Sequence, residues 1–260
     1  MNSHLGLRML GWRALLLEAD PTVPDRLRWL RRHLQPGPGR ILDAGCGTGA
    51  LAICMGKMGK QVIGASYSTH ANKAARECAR MLGRTNVKFV DLDLRNMTPL
   101  EQNIGRFTDI VCFELIEHIL DDKGLLGRLA GALQPSGRIF LTTPYKHYRR
   151  LWGDSISAIE DGDHVRWGYT HEELRTLFAQ CGLEVIIEEF VSGVLSQKIT
   201  NLHRRLERVL NGRAASWLTL PLCLSKVCDR PLTWLLRYPY LSVAVVGRRV
   251  VENRSLGILA

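Results

Sequence analysis

The sequence predicts an α/β fold, a mostly parallel sheet of seven strands with helices on both faces. Three observations carry this. Short apolar runs alternate with helical patterns along most of the chain. One such run, ending Ile41-Leu42-Asp43, leads into glycines at 45, 47 and 49 and then into apolar Ala50 to Ile53. A strand, a glycine turn and a helix N-terminus together form a nucleotide-binding site. Finally, roughly fifty residues separate the last two strand candidates, far more than a hairpin needs.

Taken in order, Pro24 to Leu34 reads as an amphipathic helix with Leu27, Leu30 and Leu34 on one face and Arg28, Arg31 and Arg32 off it. Gln35 to Gly39 ends it and leads into the first strand. A helix then runs to about Lys57, followed by a strand over Gln61 to Ala65 and a helix through Asn72 to Leu82. Val87 to Val90 and Asp109 to Phe113 are the third and fourth strands. A helix over Leu125 to Leu133 is expected to stop at Pro135-Ser136-Gly137, and Arg138 to Thr142 is the fifth strand. Thr170-His-Glu-Glu173 fits a capping box before Leu174, Leu177 and Phe178. Leu183 to Phe190 and Tyr240 to Val246 are the sixth and seventh strands. The insert between them places Leu202, Leu206 and Leu210 at helical spacing among Arg204, Arg205 and Arg208. It continues through Trp217 to Leu224 and Leu232 to Leu236.

The 260 residues are 46% hydrophobic, enough for one sizeable core. Residues 1–37 are expected to form an N-terminal helical cap, and 38–260 the main domain with a helical insert at about 192–238. Seven scattered cysteines without a CxxC pair suit free thiols in a reducing compartment. Leu15 to Leu17 is too short an apolar run for a leader, and no stretch reaches the roughly 18 apolar residues of a membrane span. A cytoplasmic, optionally membrane-peripheral protein is expected. The net charge of +10 is concentrated at the flanks, with eleven Lys/Arg against three acids over 198–254. Such flanks suit solvated helix faces, an anionic substrate or an anionic lipid surface.

The stretch Asp43-Ala44-Gly45-Cys46-Gly47-Thr48-Gly49 resembles the first motif of class I S-adenosylmethionine (SAM)-dependent methyltransferases. Asn86 to Asp93, Phe113 to His118 and Leu133 to Ile139 resemble later segments of that family, so the resemblance covers about residues 38–190. It implies a Rossmann-like sheet whose last strand is antiparallel. Gly45-x-Gly47-x-x-Ala50 also satisfies the dinucleotide pattern, but a dehydrogenase gives no reason for Asp43, Asp93 and Glu-x-x-Glu-His at these spacings. The resemblance implies that Asp43 to Gly47 bind the methionine part of SAM, with Asp43 near its ammonium. It implies that Asp93 accepts from the adenine amino group, with the backbone of Leu94 nearby, and that Ser66 and Tyr67 meet the ribose. Most of the family has an acid at position 66. Serine makes one ribose bond rather than two; non-acidic residues also appear there in the cyclopropane-fatty-acid and sterol methyltransferase branch.

Glu114, Glu117 and His118 stand at i, i+3 and i+4, so a helical turn starting at Glu114 would point all three one way. With His164 of Asp161-Gly-Asp-His164 they make a candidate site for Mg²⁺ or another divalent cation. Similar Glu-x-x-Glu-His runs with a later His occur in ubiquinone-biosynthesis O-methyltransferases and in small-RNA terminal ribose 2′-O-methyltransferases. In metal-free relatives Glu114 and Leu115 simply border SAM. His118, His164 and Glu117 are the catalytic candidates, because imidazole titrates near neutrality. Tyr145, His147 and Tyr148 follow the fifth strand and are candidates for the acceptor pocket.

The expected activity is methyl transfer from SAM to a small, apolar or lipid-like metabolite, at a hydroxyl before carbon or nitrogen. The insert over 194–238 is expected to act as a lid, a contact with anionic membrane, or a core extension. An RNA ribose methyltransferase stands second, without a recognisable RNA module to support it. A SAM-binding protein without turnover stands third.

Overall fold

The computed structural model describes residues 11–12, 14–15, 20–97, 106–150, 156–210 and 212–250. The leader argument at Leu16 and Leu17, and the end of the basic flank beyond 250, lie outside the described residues.

A seven-stranded sheet in the order β3-β2-β1-β4-β5-β7-β6 forms the centre. Its strands are β1 (Arg40–Ala44), β2 (Gln61–Ser66), β3 (Val87–Asp91), β4 (Phe107–Phe113), β5 (Leu133–Pro144), β6 (Leu183–Val191) and β7 (Ser242–Arg249). β1 pairs in parallel with β2 and β4, while β7 runs antiparallel to both β5 and β6. The central strands are apolar on both faces, as a sheet covered on both sides requires. The chain order reverses between β1 and β4, and ligands bind outside the carboxyl ends of strands at such a point.

The helices are α1 (Val23–His33), α2 (Ala50–Lys57), α3 (Thr69–Met81), α4 (Asp122–Gly131), α5 (His171–Gln180), α6 (Val194–Val209), α7 (Gly212–Thr219) and α8 (Asp229–Leu235). In α1, Leu27 and Leu30 are buried as their spacing predicts. The buried Trp29 packs edge-on to Phe140 and tilted on Phe113, fixing α1 on the sheet. Ser68 caps α3 by accepting from the Ala71 amide, so the helix starts earlier than its apolar pattern does. Thr170 and Glu173 form the predicted capping box of α5.

One boundary is corrected. Pro135 to Gly137 do not stop a helix, because α4 already ends at Gly131. They lie within β5, where the pairing jumps from Phe107↔Leu133 to Asp109↔Arg138 and the intervening residues bulge out.

Across the insert, α6 is followed by α7, a 3₁₀ stretch (Pro221–Cys228) and α8. The insert is tied to α1 by a buried polar network. Lys226 Nζ lies 2.7 Å from Asp25 Oδ1, and Asp25 Oδ2 accepts from Ser192 and Ser196. Among the described residues no helix is long and apolar enough to cross a membrane. All seven cysteines are free.

Candidate active site

The first half of the site stands at the carboxyl ends of β1 and β2. The glycine loop is pinned to β2, since the amides of Gly45 and Cys46 donate to the Ala65 carbonyl at 2.9 and 3.1 Å. Those two amides are therefore spent on the fold, which narrows the predicted anion cradle to the rest of the turn. Gly47 has a φ of 50° and open space where a side chain would stand, as a close approach of ligand to backbone requires. Gly49, at φ 80°, packs so tightly that a Cβ would lie 2.6 Å from the Phe89 ring. Leu115 lies against Gly45, on the same side of the turn.

Asp43 is buried at the end of β1. Burial pushes its carboxyl up to about 7, with only a hydrogen bond from the Ala52 backbone opposing. Its Oδ2 is buried without a protein partner. A cationic ligand group would satisfy it, which fits the ammonium of SAM.

Ser66 ends β2, buried, with its hydroxyl accepting from the Ser68 amide at 3.2 Å. Tyr67 beside it is exposed. Asn72, which the sequence reading missed, locks this corner. Its amide nitrogen donates to Ser66 O, Val90 O and Asp91 Oδ1 at 2.7 to 2.9 Å, and its Oδ1 accepts weakly from the Cys46 thiol at 3.5 Å. The available signal was a polar residue on the same helical face as Ala75 and Ala79. Asp93 lies past β3, and both its oxygens accept from Arg95, which also reaches Glu160 at 2.6 Å. Arg95 holds the Asp93 carboxyl below the usual range. Leu94 is buried in the core.

The second half follows β4. Here the predicted common face of Glu114, Glu117 and His118 is corrected. Glu114 has a φ of 48°, so no helical turn begins there; the turn is a 3₁₀ helix over Ile116–His118. The Glu114 carboxylate turns instead to Arg26 of α1 at 3.1 Å and accepts from Thr142 at 3.0 Å. Glu117, His118 and His164 do converge, with ligand atoms within 4.8 Å of one another.

Glu117 is fully buried. Its Oε2 accepts from Thr143 at 3.0 Å and its Oε1 has no partner. Burial, then the nearby Glu114 charge, holds its carboxyl well above the usual range. His118 Nδ1 lies 3.0 Å from the Asp163 carbonyl, and its Nε2 lies 4.0 Å from Glu117 Oε1. A backbone acceptor on one ring nitrogen orients the other as a ligand. Burial, then the neighbouring His118, lowers His164 to about 4, so it is neutral at pH 7. A buried orphan carboxylate oxygen and two imidazoles fit a divalent cation by chemistry.

This trio opens on a cavity of about 750 Å³. Tyr148 lines it as predicted, whereas Tyr145 packs on Phe190 and His147 outside it. Helix α6 supplies a wall with Gln197, Thr200 and Arg204. Gln197 Oε1 and Thr200 Oγ1 are buried there without partners. Arg26, Arg149 and Arg150 also line it, against Asp161 and Asp163. The chamber is thus more polar than an apolar acceptor would call for.

A Rossmann-like sheet in this strand order, with a glycine turn after β1 and acids after β3 and β4, defines the class I SAM-dependent methyltransferases. The family description "Methyltransferase domain" matches residues 17–188, and the chain belongs to that family. Ubiquinone biosynthesis O-methyltransferase of Xanthomonas axonopodis pv. citri (strain 306) is 31% identical over 121 residues, covering 46% of this chain and 49% of that protein. The protein of the same name from Albidiferax ferrireducens is 31% identical, covering 46% and 47%. The chain therefore spans about half the length of these curated relatives. The Coxiella burnetii (strain Dugway 5J108-111) protein of that name is 26% identical, covering 61% and 69%.

Among solved structures, coclaurine N-methyltransferase bound to N-methylheliamine and S-adenosylhomocysteine is similar at TM-score 0.57 and 17% identity, covering 88% of this chain and 72% of that one. The [4+2]-cyclase SpnF is similar at TM-score 0.61 and 20% identity, covering 89% and 82%. These likenesses are of fold. SAM is the cofactor that family membership assigns.

Proposed function

We propose that the protein transfers the methyl group of SAM to a hydroxyl of a small-molecule acceptor held in the cavity beside His118 and His164. The observation that carries this reading is the trio of Glu117, His118 and His164 opening on that cavity. Relatives named ubiquinone biosynthesis O-methyltransferase support the choice of oxygen. In the reaction the acceptor oxygen attacks the methyl carbon, the carbon–sulfur bond breaks to leave a neutral thioether, and the hydroxyl proton departs. Where no cation is held there, His118 and His164 are the groups proposed to receive that proton, His164 being neutral at pH 7.

Asp43 is proposed to hold the ammonium of SAM, the turn around Gly47 its carboxylate, and Ser66 one ribose hydroxyl. Asp93 remains the proposed partner of the adenine amino group, sharing its oxygens with Arg95. Glu117, His118 and His164 would hold a divalent cation, with Glu114 outside the ligand set. Bound there, a cation would lower the acceptor's pKa and orient it. Because the chamber walls are polar, a lipid-like acceptor would enter it by a polar head.

The test is to incubate the protein with methyl-labelled SAM and cell extract, then separate lipids, small polar metabolites and RNA. Label in a base-labile ester or an amine would overturn O-methylation of a hydroxyl, and label in RNA would replace the small-molecule acceptor.

A further inference from the structure

Helices α7 and α8 and the 3₁₀ stretch between them bury mostly polar side chains, with Ala215 of α7 the buried apolar exception among the described residues. Their buried positions include polar Thr219, Lys226, Asp229 and Thr233. Each is engaged. Thr219 donates to Ala215 O, Lys226 pairs with Asp25, Asp229 accepts from the Gly193 and Leu195 amides, and Thr233 accepts from the Val194 amide. The apolar residues face out instead. Trp234 is 79% exposed, Leu224 78%, Val227 74% and Trp217 60%, and Leu218 and Leu235 are exposed too. A helical layer that seals itself with hydrogen bonds has no need of this outer surface for its own folding. Large apolar side chains exposed at this density mark an interaction site.

Three observations select its occupant. Residues 194–238 carry eight Lys/Arg against two acids; Lys226 is buried against Asp25, and Arg204 and Arg230 pair with Asp20 and Glu189, so Lys198 and Arg237 are the cations that bear on the occupant. The exposed set pairs tryptophans with leucines beside those cations, the composition of elements that lie in a membrane interface. A groove lined by Trp234, Leu235 and Tyr238 is flanked by Arg149 at 4.7 Å and Lys198 at 5.4 Å from the Tyr238 ring. Arg149 also lines the chamber beside His118 and His164, so this surface lies near that chamber.

We infer that the outer face of α7, the 3₁₀ stretch and α8 docks on the surface of a bilayer containing anionic lipid. The apolar side chains enter the headgroup–acyl boundary, and the surrounding Lys and Arg meet lipid phosphates. The contact is peripheral, since no described helix is long and apolar enough to span. The inference concerns where the protein sits and stands independently of the transferred group.

Flotation of the full chain with phosphatidylcholine vesicles, with and without phosphatidylglycerol, tests it. The protein should float with the mixed vesicles, at least tenfold less with phosphatidylcholine alone, and with a blue shift of tryptophan emission. The triple variant Trp217→Ser, Leu224→Ser, Trp234→Ser should lose at least tenfold of the flotation while keeping its melting temperature and SAM affinity. Lys198→Glu with Arg237→Glu should weaken binding to the mixed vesicles only. Wild-type protein that stays with the pellet, floats equally on neutral vesicles, or floats undiminished as the triple variant would overturn the proposal. So would a wild-type dimer that the triple variant dissolves and that vesicles fail to compete apart.

Discussion

The rings of His118, from the 3₁₀ turn after β4, and His164, from the loop before α5, meet edge to face with centroids 4.6 Å apart. Partial burial, then the neighbouring His118, drives His164 down to about 4. His164 therefore presents a neutral imidazole beside Glu117 at pH 7. We predict that Mn²⁺, used as a paramagnetic probe, binds in the absence of SAM and acceptor. Because Glu117 must lose its proton to bind, affinity should rise with pH. His164→Ala should weaken binding at least tenfold and leave SAM affinity unchanged. Wild-type protein that fails to capture Mn²⁺, or a His164→Ala variant that captures it equally, would exclude the cation.

Asp43 predicts a pH-dependent SAM affinity. Its folded pKa of about 7 lies above the usual 3.8, so without ligand the stability it contributes is full below about 3.8 and is lost as pH rises through about 7. The ammonium of SAM favours the carboxylate, so binding should release a proton and tighten between pH 6 and 8. Asp43→Asn should flatten that dependence, and Asp43→Ala should weaken SAM roughly ten- to a hundredfold, from the about 1.5–3 kcal/mol of a charge-assisted hydrogen bond. Isothermal titration in buffers of different ionisation enthalpy reads both; no proton release would refute the assignment.

Local pattern made the first half of the site legible. The β1–glycine–α2 unit and the Thr170 capping box are set by neighbours in sequence, and spacing finds such features. The second half depends on long-range geometry. Glu114 looked like a partner of Glu117 and His118, but its positive φ and the Arg26 of a distant helix turn it away. Spacing puts Asn72 on the face of Ala75 and Ala79 but cannot show its partners, nor the α6 wall, because those come from other elements. The 134–137 bulge was misread because Pro-Ser-Gly is equally apt for a helix stop and a strand irregularity.

The glycine turn separates folding from binding. Gly49→Ala would force a Cβ to within 2.6 Å of Phe89 and 2.8 Å of Ala75 at φ 80°. Backbone strain and overpacking together should cost about 2–6 kcal/mol in urea denaturation. Gly47→Ala meets open space and should cost only about 1–2 kcal/mol, from its left-handed φ. Yet Gly47→Ala should lower SAM affinity at least tenfold, because the methyl occupies the approach to the turn. Equal SAM binding by Gly47→Ala and wild type would move the cofactor off this turn.

The Lys226–Asp25 pair governs how the acceptor chamber is assembled. Asp25 belongs to α1, which carries Arg26 into the chamber, and Lys226 belongs to the insert whose α6 supplies a neighbouring wall. Both side chains are buried, at 2.7 Å, and Lys226 also donates to Pro21 O. Removing one partner strands a buried charge, which costs about 3–5 kcal/mol, whereas replacing both with well-packed neutral groups costs far less. Lys226→Met should therefore destabilise by about 3–5 kcal/mol, and Asp25→Asn with Lys226→Met should recover most of that loss in the same denaturation assay. The recovery separates a desolvated ion pair from mere packing of the lysine stem, because stem packing would be lost equally in single and double variants. A cost under about 1 kcal/mol for Lys226→Met would show the pair to be solvated, and the two walls of the chamber to be held by apolar contacts instead.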